Sequence, residues 1–110
     1  MADFHIKQND RKPDLEAICI DQDNAVVNLT AAVAVKFNMI DPGGAVKISL
    51  GAASIVAPPT DGKVQYLWGA IDTDTAGKFN GEFEVEWSDG TKTTFPNFRY
   101  IQIEILPDIA

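Results

Sequence analysis

Two acidic segments carry the residue types that could bind a cation. Asp21 and Asp23 lie in the stretch DQDN, and Asp72 and Asp74 lie in DTDT. Calcium prefers several carboxylate and carbonyl oxygens, often from one or two loops, so two such loops could converge at one end of a fold. Neither segment completes the EF-hand loop, and Asp and Asn commonly cap turns through their own backbone. We therefore expect no metal and no other cofactor, and these four aspartates remain the alternative calcium ligands.

The remaining polar candidates do not combine into a catalytic set. Glu82, Glu84 and Glu86 alternate along one segment, which places them in one outward row. A solvated face explains such a row, with a shallow glycan or cation surface as the alternative. His5 has no evident third group to orient it, as a catalytic triad requires, and Cys19 is typical of a small buried hydrophobe. We expect no catalytic residues and a protein that is not an enzyme.

Two tryptophans are the remaining candidates for a binding surface. Trp68 and Trp87 both stand on the apolar side of an alternating run. Aromatic residues at period two usually belong to a core, and an exposed tryptophan would instead be a candidate anchor for a partner. The binding residues are therefore unknown from the sequence, except that Trp68 or Trp87 would qualify if exposed.

Composition and charge restrict the partners. The 110 residues carry a formal net charge of -7, and the nine basic residues are scattered without forming a patch. Nucleic-acid binding draws most of its affinity from Lys and Arg on phosphates, so we expect no nucleic-acid partner. The longest apolar run, Ala31 to Val35, is too short to span a bilayer. The N-terminus MADFHIKQNDRKP has no signal-peptide pattern, so we expect a protein made in the cytoplasm.

The elements that must position these residues are β-strands, because the dominant period of apolar residues is two. Four runs alternate clearly: Val33 to Met39, Val64 to Trp68, Phe83 to Trp87, and Ile101 to Ile105. Weaker candidates are Asp3 to Lys7, Leu15 to Ile20, Ala45 to Leu50 and Ser54 to Ala57, and the second of these could also be a short helix. Turns such as DPGG and PPTDG separate them. The pattern predicts an all-β chain with one domain, residues 1–110, folded as an antiparallel β-sandwich or small barrel.

One hairpin register can be predicted from the sorting of side chains. A three-residue loop of Ser88, Asp89 and Gly90, with Gly90 in the left-handed conformation, sets Phe83 opposite Phe95. It also sets Val85 opposite Thr93 and pairs Glu86 with Lys92 on the other face. A two-residue loop would place Trp87 opposite Lys92 and mix polar with apolar residues. We therefore predict the three-residue loop.

Two long stretches carry a resemblance to a known family. The first is DFHIKQNDRKPDLEAICIDQDNAVVNLTAAVAVKFNM, with Phe4, Ile6, Lys7, Asn9 and Asp10 in a short opening strand and Val27–Val33 in a later segment. The second is GKVQYLWGAIDTDTAGKFNGEFEVEWSDGTKTTFPNFRYIQIEI, with Asp89 and Gly90 in its hairpin. Together they resemble the immunoglobulin-like N-terminal domain of phage baseplate upper proteins, and the second stretch resembles the C-terminal half of that domain. Within it, Phe79 stands at a corner where related bacterial domains usually have Tyr.

The resemblance implies a single immunoglobulin-like antiparallel β-sandwich of about 7–8 strands. It implies a non-enzymatic virion structural protein of a tailed bacteriophage, a tail- or baseplate-associated module for particle assembly or attachment. Its location would be the virion after synthesis in the bacterial host cytoplasm, and its partners would be other phage virion proteins or further copies of itself. A baseplate upper protein continues beyond this domain, so a capsid decoration protein is one alternative, and a host-surface or carbohydrate-binding immunoglobulin-like module is another.

Overall fold

The computed structural model describes residues 2–97 and 99–109, and within them it has eight β-strands and one short 3-10 helix, Pro59–Asp61. The strands are β1 (Phe4–Lys7), β2 (Leu15–Ile18), β3 (Ala32–Ile40), β4 (Val46–Ile55), β5 (Lys63–Tyr66), β6 (Gly77–Trp87), β7 (Lys92–Phe95) and β8 (Ile101–Leu106). No helix in the described residues is long and apolar enough to cross a membrane. In the Leu15–Ile20 region, for which a helix was the alternative, Leu15–Ile18 form strand β2 and Ile20 makes an isolated bridge to Val26.

The strands form two sheets that share one strand. The pairing order is β1-β8-β6-β3-β4-β5-β2, and β7 pairs with the second half of β6. Strand β4 pairs with β3 up to Ala53 and with β5 at Ser54 and Ile55, so it passes from one sheet to the other. The predicted all-β sandwich is confirmed, with one difference. β1 and β8 are parallel, which the pattern did not predict, because parallel strands need a long connection and this one is nearly the whole chain.

Strand β4 joins two segments that the sequence pattern separated. The predicted strands Ala45 to Leu50 and Ser54 to Ala57 merge into one strand that begins at Val46, ends at Ile55 and has register shifts against β3. Leu50 has a φ of 52°, and its amide donates a 2.7 Å hydrogen bond to the Asn38 side-chain oxygen. Next to it, a Cβ on Gly51 would lie 2.8 Å from a ring carbon of Tyr66. The bulge interrupts the period of two, and this is why the sequence pattern breaks there.

A second bulge corrects the predicted inward face of β3. Val35, Phe37 and Met39 are buried as predicted, whereas Val33 is 63% exposed. The register of β3 against β6 shifts between Ala32 and Ala34, so one residue is unpaired there. The shift turns the side chain of Val33 away from the core.

The core between the sheets centres on aromatic rings. Phe37 lies 4.8 Å from Tyr66 and 4.9 Å from Phe83, measured between ring centroids, and Trp68 packs edge-on against Phe37 and Tyr66. Such pairs contribute about 0.5–1.5 kcal/mol beyond the area they bury. A Cβ on Gly81 would lie 3.0 Å from the Phe37 ring. Glycine at this position therefore lets the ring lie against the backbone of β6.

The β6–β7 hairpin has the predicted register. Phe83 pairs with Phe95 and Val85 with Thr93, and Gly90 has a φ of 88° in the three-residue loop. Glu86 stands opposite Lys92, as predicted, but the Lys92 ammonium approaches Glu84 instead, at 3.8 Å. A lysine side chain is long enough to reach a diagonal neighbour, so the predicted Glu86–Lys92 ion pair is wrong while the register is right.

Candidate functional site

The aspartates of the first acidic segment hold a turn. Asp21 Oδ1 accepts hydrogen bonds from the backbone amides of Asp23, at 2.8 Å, and Ala25, at 3.0 Å. Asn24 adopts a φ of 64°, which Asn tolerates better than most residues. This carboxylate oxygen therefore caps the loop that follows β2, and Asp41 makes the same pair of bonds in the next loop.

The aspartates of the second segment hold a corner between β5 and β6. Asp72 Oδ2 accepts hydrogen bonds from the Tyr66 hydroxyl and from the Gly69 amide, both at 2.6 Å. Burial, and then the bond to Asp72, raise the pKa of the Tyr66 hydroxyl above its usual value. The hydroxyl of buried Thr73 donates to the Asp10 carbonyl at 2.7 Å. The corner is therefore tied both to β5 and to the segment after β1.

Asp74 lies on the exposed side of that corner and pairs with Lys47. The hydrogen bonds from Lys47 and Thr75 hold the pKa of the Asp74 carboxyl below its usual value.

In the antiparallel β2–β5 pair, Leu15 faces Tyr66 and Ile18 faces Lys63. The first acidic loop follows β2 and the second follows β5, so the two loops lie at opposite ends of this pair and do not converge as a shared calcium site would require. Among residues 2–97 and 99–109, no three acidic, His or Cys side chains are grouped to hold a metal.

The two tryptophans differ in exposure. Trp68 is 1% exposed, and its indole N–H donates to the Pro13 carbonyl at 3.1 Å. Trp87 is half-buried at the edge of the core, and its indole N–H donates to the Thr93 hydroxyl at 2.9 Å. Trp68 therefore does not meet the condition for a partner anchor, and Trp87 presents only part of its ring.

The remaining polar candidates lie on the outer face of the larger sheet. His5 is exposed, and its Nε2 lies 3.5 Å from a carboxylate oxygen of Glu104 on the neighbouring strand. Glu82, Glu84 and Glu86 are half-buried and form the predicted outward row along β6. Lys36 stands opposite Glu84 in β3. The row therefore lies on an outward sheet face opposite a lysine of β3, and the alternative of a shallow glycan or cation surface stays a prediction.

A groove lies on the open side of the sandwich. It lies between β2 and a wall made by the middle of β6, the end of β7 and the start of β8, and has a volume of about 350 Å³. Its apolar lining includes Leu15, Cys19, Phe83, Phe95 and Ile101. Ligand pockets span roughly 300–1,000 Å³, so this groove has room for a few side chains or a small ligand.

An exposed apolar strip borders this groove. The exposed fractions are 52% for Ile18, 39% for Ile20 and 51% for Val26. Ile20 and Val26 are bridged to each other, which keeps the three side chains at one end of β2. Apolar residues grouped beside a groove mark an interaction surface more often than single exposed residues do.

Cys19 forms part of the groove wall and is buried. Burial raises the pKa of its thiol to about 11, so the protonated form predominates at neutral pH. Because the thiolate is the reactive form, this cysteine contributes packing and not nucleophilic chemistry. The expectation of a small buried hydrophobe is confirmed.

The sequence contained a signal for this groove that its pattern did not resolve. The run LEAICI has apolar residues at both parities, with Leu15, Ala17 and Cys19 directed inward and Ile18 and Ile20 outward. A half-buried strand normally alternates apolar with polar residues. The outward isoleucines are therefore the departure that marks this edge.

Comparisons with known proteins support the fold and nothing finer. No family model matches the chain, and no curated protein matches it. Among solved structures, the crystal structure of CopC from Methylosinus trichosporium OB3b is similar, with a TM-score of 0.57 and 12% identity. The alignment covers 100% of this chain and 89% of the CopC chain. Such a likeness defines the class of protein as a β-sandwich, and function does not follow from fold.

Proposed function

We propose that this chain is a non-enzymatic attachment module, and that it serves as a structural protein of a tailed-phage virion, in the tail or baseplate. The observation that carries the attachment role is the apolar strip of Ile18, Ile20 and Val26 beside the open groove. Exposed apolar side chains grouped next to a concave surface favour burial against a partner. The partners would be other virion proteins.

The virion assignment rests on the resemblance of the sequence. Several of the residues that carry the resemblance have framework positions in the sandwich. Ile6 lies buried in β1, Phe79 is buried in β6, and Gly90 takes the left-handed position of the β6–β7 loop. These residues support a common sandwich framework, and the resemblance adds the expectation of a virion role.

Two other roles remain as alternatives. A capsid decoration protein would use the same kind of attachment surface on a different part of the particle. A carbohydrate-binding or host-surface module would use an exposed aromatic ring beside acids, and Trp68 and Trp87 were the candidates for it. Because Trp68 lies in the core, that alternative loses one of its two residues.

Detection of the protein in purified particles tests the proposal. Particles from a producing lysate would be separated on a density gradient, and tails and capsids would be separated and analysed by mass spectrometry. We expect the protein to co-migrate with tails, while an abundant host protein of similar size stays at the top of the gradient. Recovery with capsids would favour the decoration role, and absence from every particle fraction would refute the virion assignment.

A further inference from the structure

The free edge of β2 has backbone groups that a further strand could bind. Cys19 lies opposite Gly62, and its amide donates to the Gly62 carbonyl at 2.7 Å, on the β5 side. Directions alternate along an antiparallel strand, so the amides and carbonyls of Glu16 and Ile18 point to the opposite side. In the described part of the chain, β5 is the strand neighbour of β2, and β2 ends the pairing order. These groups therefore point away from β5, and Glu16 and Ile18 also line the groove.

Within Leu15–Ile18, the β2 edge has no lysine, proline or bulge, the devices that mark other edges of this sandwich. Edge strands are commonly blunted by lysine, proline or a bulge. The β4 edge has the bulge at Leu50, β7 begins with Lys92, and β1 ends with Lys7. Strand β2 reads LEAI, has an unshifted register, and continues into the outward side chain of Ile20. It is therefore the edge best suited to pairing.

Charge decides what kind of strand the edge fits. The segment from Asp14 to Asp23 also carries Glu16 and Asp21 as acids and contains no Lys or Arg. Asp14 pairs with Lys12, at 2.9 Å, and Glu16 lies 4.0 Å from Lys63, while Arg99 in the groove lining pairs with Asp3 at 2.9 Å. Among the described residues, Asp21 and Asp23 have no such cationic partner, so this edge keeps an excess of negative charge. A second copy would bring two such segments together, each on a chain of net charge -7. A strand from a different protein with Lys or Arg at its ends would instead complement the negative charge of this edge.

We propose that the free edge of β2 binds an extended strand of a partner protein, apolar at its centre and flanked by Lys or Arg. Its backbone would continue the sheet past β2, hydrogen-bonding at Glu16 and Ile18. Alternate side chains would enter the groove over Phe83 and Phe95, and the others would cover Ile18 and Ile20. The groove residues Leu15 to Ile20 correspond to about 20 Å of strand, which fits an incoming segment of about six residues. This inference rests on the proposed attachment role and names the partner's chemistry.

A peptide titration followed by NMR tests the strand pairing. The probe is the acetylated peptide KTVIVTK, with ETVIVTE and KTVPVTK as matched controls for charge and for strand pairing. We expect KTVIVTK to shift the amide signals of Glu16, Ile18 and Ile20 and to slow their hydrogen exchange. Both control peptides should bind at least about tenfold more weakly. ETVIVTE loses the attraction between its ends and the acidic edge, and KTVPVTK loses a backbone hydrogen-bond donor. High salt should weaken KTVIVTK binding.

Two variants separate backbone pairing from simple apolar contact. Ile18→Pro removes the amide that faces the free edge and leaves the β5 ladder intact, a position where edge strands tolerate proline. We expect about tenfold weaker binding, whereas Ile18→Val should bind within about twofold of the parent. If Ile18→Pro does not fold, the Glu16→Gln/Asp23→Asn pair serves instead. It should weaken KTVIVTK and lessen its salt dependence.

Several outcomes would overturn the proposal. These are absence of amide shifts along β2, shifts confined to β1 or β7, and equal affinity for KTVIVTK and ETVIVTE. If the chain forms a concentration-dependent dimer, and Ile18→Pro abolishes that dimer, the strand that binds β2 belongs to a second copy and not to a partner protein.

The proposed virion role is tested by different results from those that test the strand pairing. Peptide binding at β2 by a protein absent from particles would support this inference and refute the virion assignment. Full incorporation of the Ile18→Pro variant into particles would support the virion assignment and refute this inference.

Discussion

The bond between Tyr66 and Asp72 should be a principal support of the β5–β6 corner. Tyr66 is buried, and its hydroxyl lies 2.6 Å from Asp72 Oδ2, which also accepts the Gly69 amide. A hydrogen bond to a charged group contributes about 1.5–3 kcal/mol. Because Asp72 is only half-buried, we take the lower end and expect Tyr66→Phe to cost about 1.5 kcal/mol.

The rest of the expected pattern follows from the same contacts. Asp72→Ala removes both bonds and leaves a buried hydroxyl and an amide without this acceptor, which should cost about 3 kcal/mol. The coupling energy in a double-mutant cycle should be about 1–2 kcal/mol. For a domain of this size, Tyr66→Phe should lower Tm by roughly 6–12 °C.

Thermal and urea unfolding of the two single variants and the double variant would measure these values. Tyr100→Phe is the matched control, since Tyr100 is exposed, and it should change stability by less than about 0.5 kcal/mol. Equal effects of Tyr66→Phe and Tyr100→Phe, or a coupling near zero, would refute the structural role. Millimolar calcium that stabilised the parent and not Asp72→Ala would show that Asp72 binds a cation after all.

Three further predictions concern packing, the hairpin and alkaline pH. Gly81→Ala should cost about 1–3 kcal/mol in urea unfolding, because its Cβ would lie 2.8 Å from Ile103 and 3.0 Å from the Phe37 ring; an unchanged stability would contradict the close approach. Gly90→Ala should cost about 1 kcal/mol and Gly90→Asn less, because φ is 88° with open space around it; equal costs would contradict this. Burial raises the pKa of Cys19 from 9.0 to about 11. The contribution of the buried thiol to the unfolding free energy is therefore complete below pH 9.0 and is lost as the pH rises towards 11. Cys19→Ala should therefore reduce the fall of the unfolding free energy between pH 9 and 11, by about 3 kcal/mol at most.

Much of the fold was predictable because its strands obey a simple rule. Where one face of a strand is buried and the other is wet, apolar residues alternate, as in Phe83 and Val85 of β6. The hairpin register could be derived because a shift of one residue would have reversed every side chain from Glu84 to Lys92. The same rule failed at Val33 and Leu50, where bulges change the parity. Bulges depend on contacts with neighbouring strands, which a local pattern does not contain.

The candidate sites were less predictable, because a site is a set of distances between distant segments. The residue types of Asp21 and Asp72 suggested a common cation site, yet the antiparallel pairing of β2 with β5 sends their loops to opposite ends. The apolar groove, in contrast, was not predicted although the structure contains it. Its walls come from β2 and from the β6–β8 region, and no single segment of the sequence contains them.

The sequence by itself indicated an all-β chain, specified the hairpin loop and favoured burial of Cys19 and Trp68, since these depend on local alternation and residue chemistry. Tertiary structure decided the parallel pairing of β1 with β8, the separation of the acidic loops and the exposure of the β2 edge. Each of these depends on which strands become neighbours after the chain has folded. An unpaired edge beside an apolar groove exists only once the two sheets have packed, and that edge is where we expect the partner to bind.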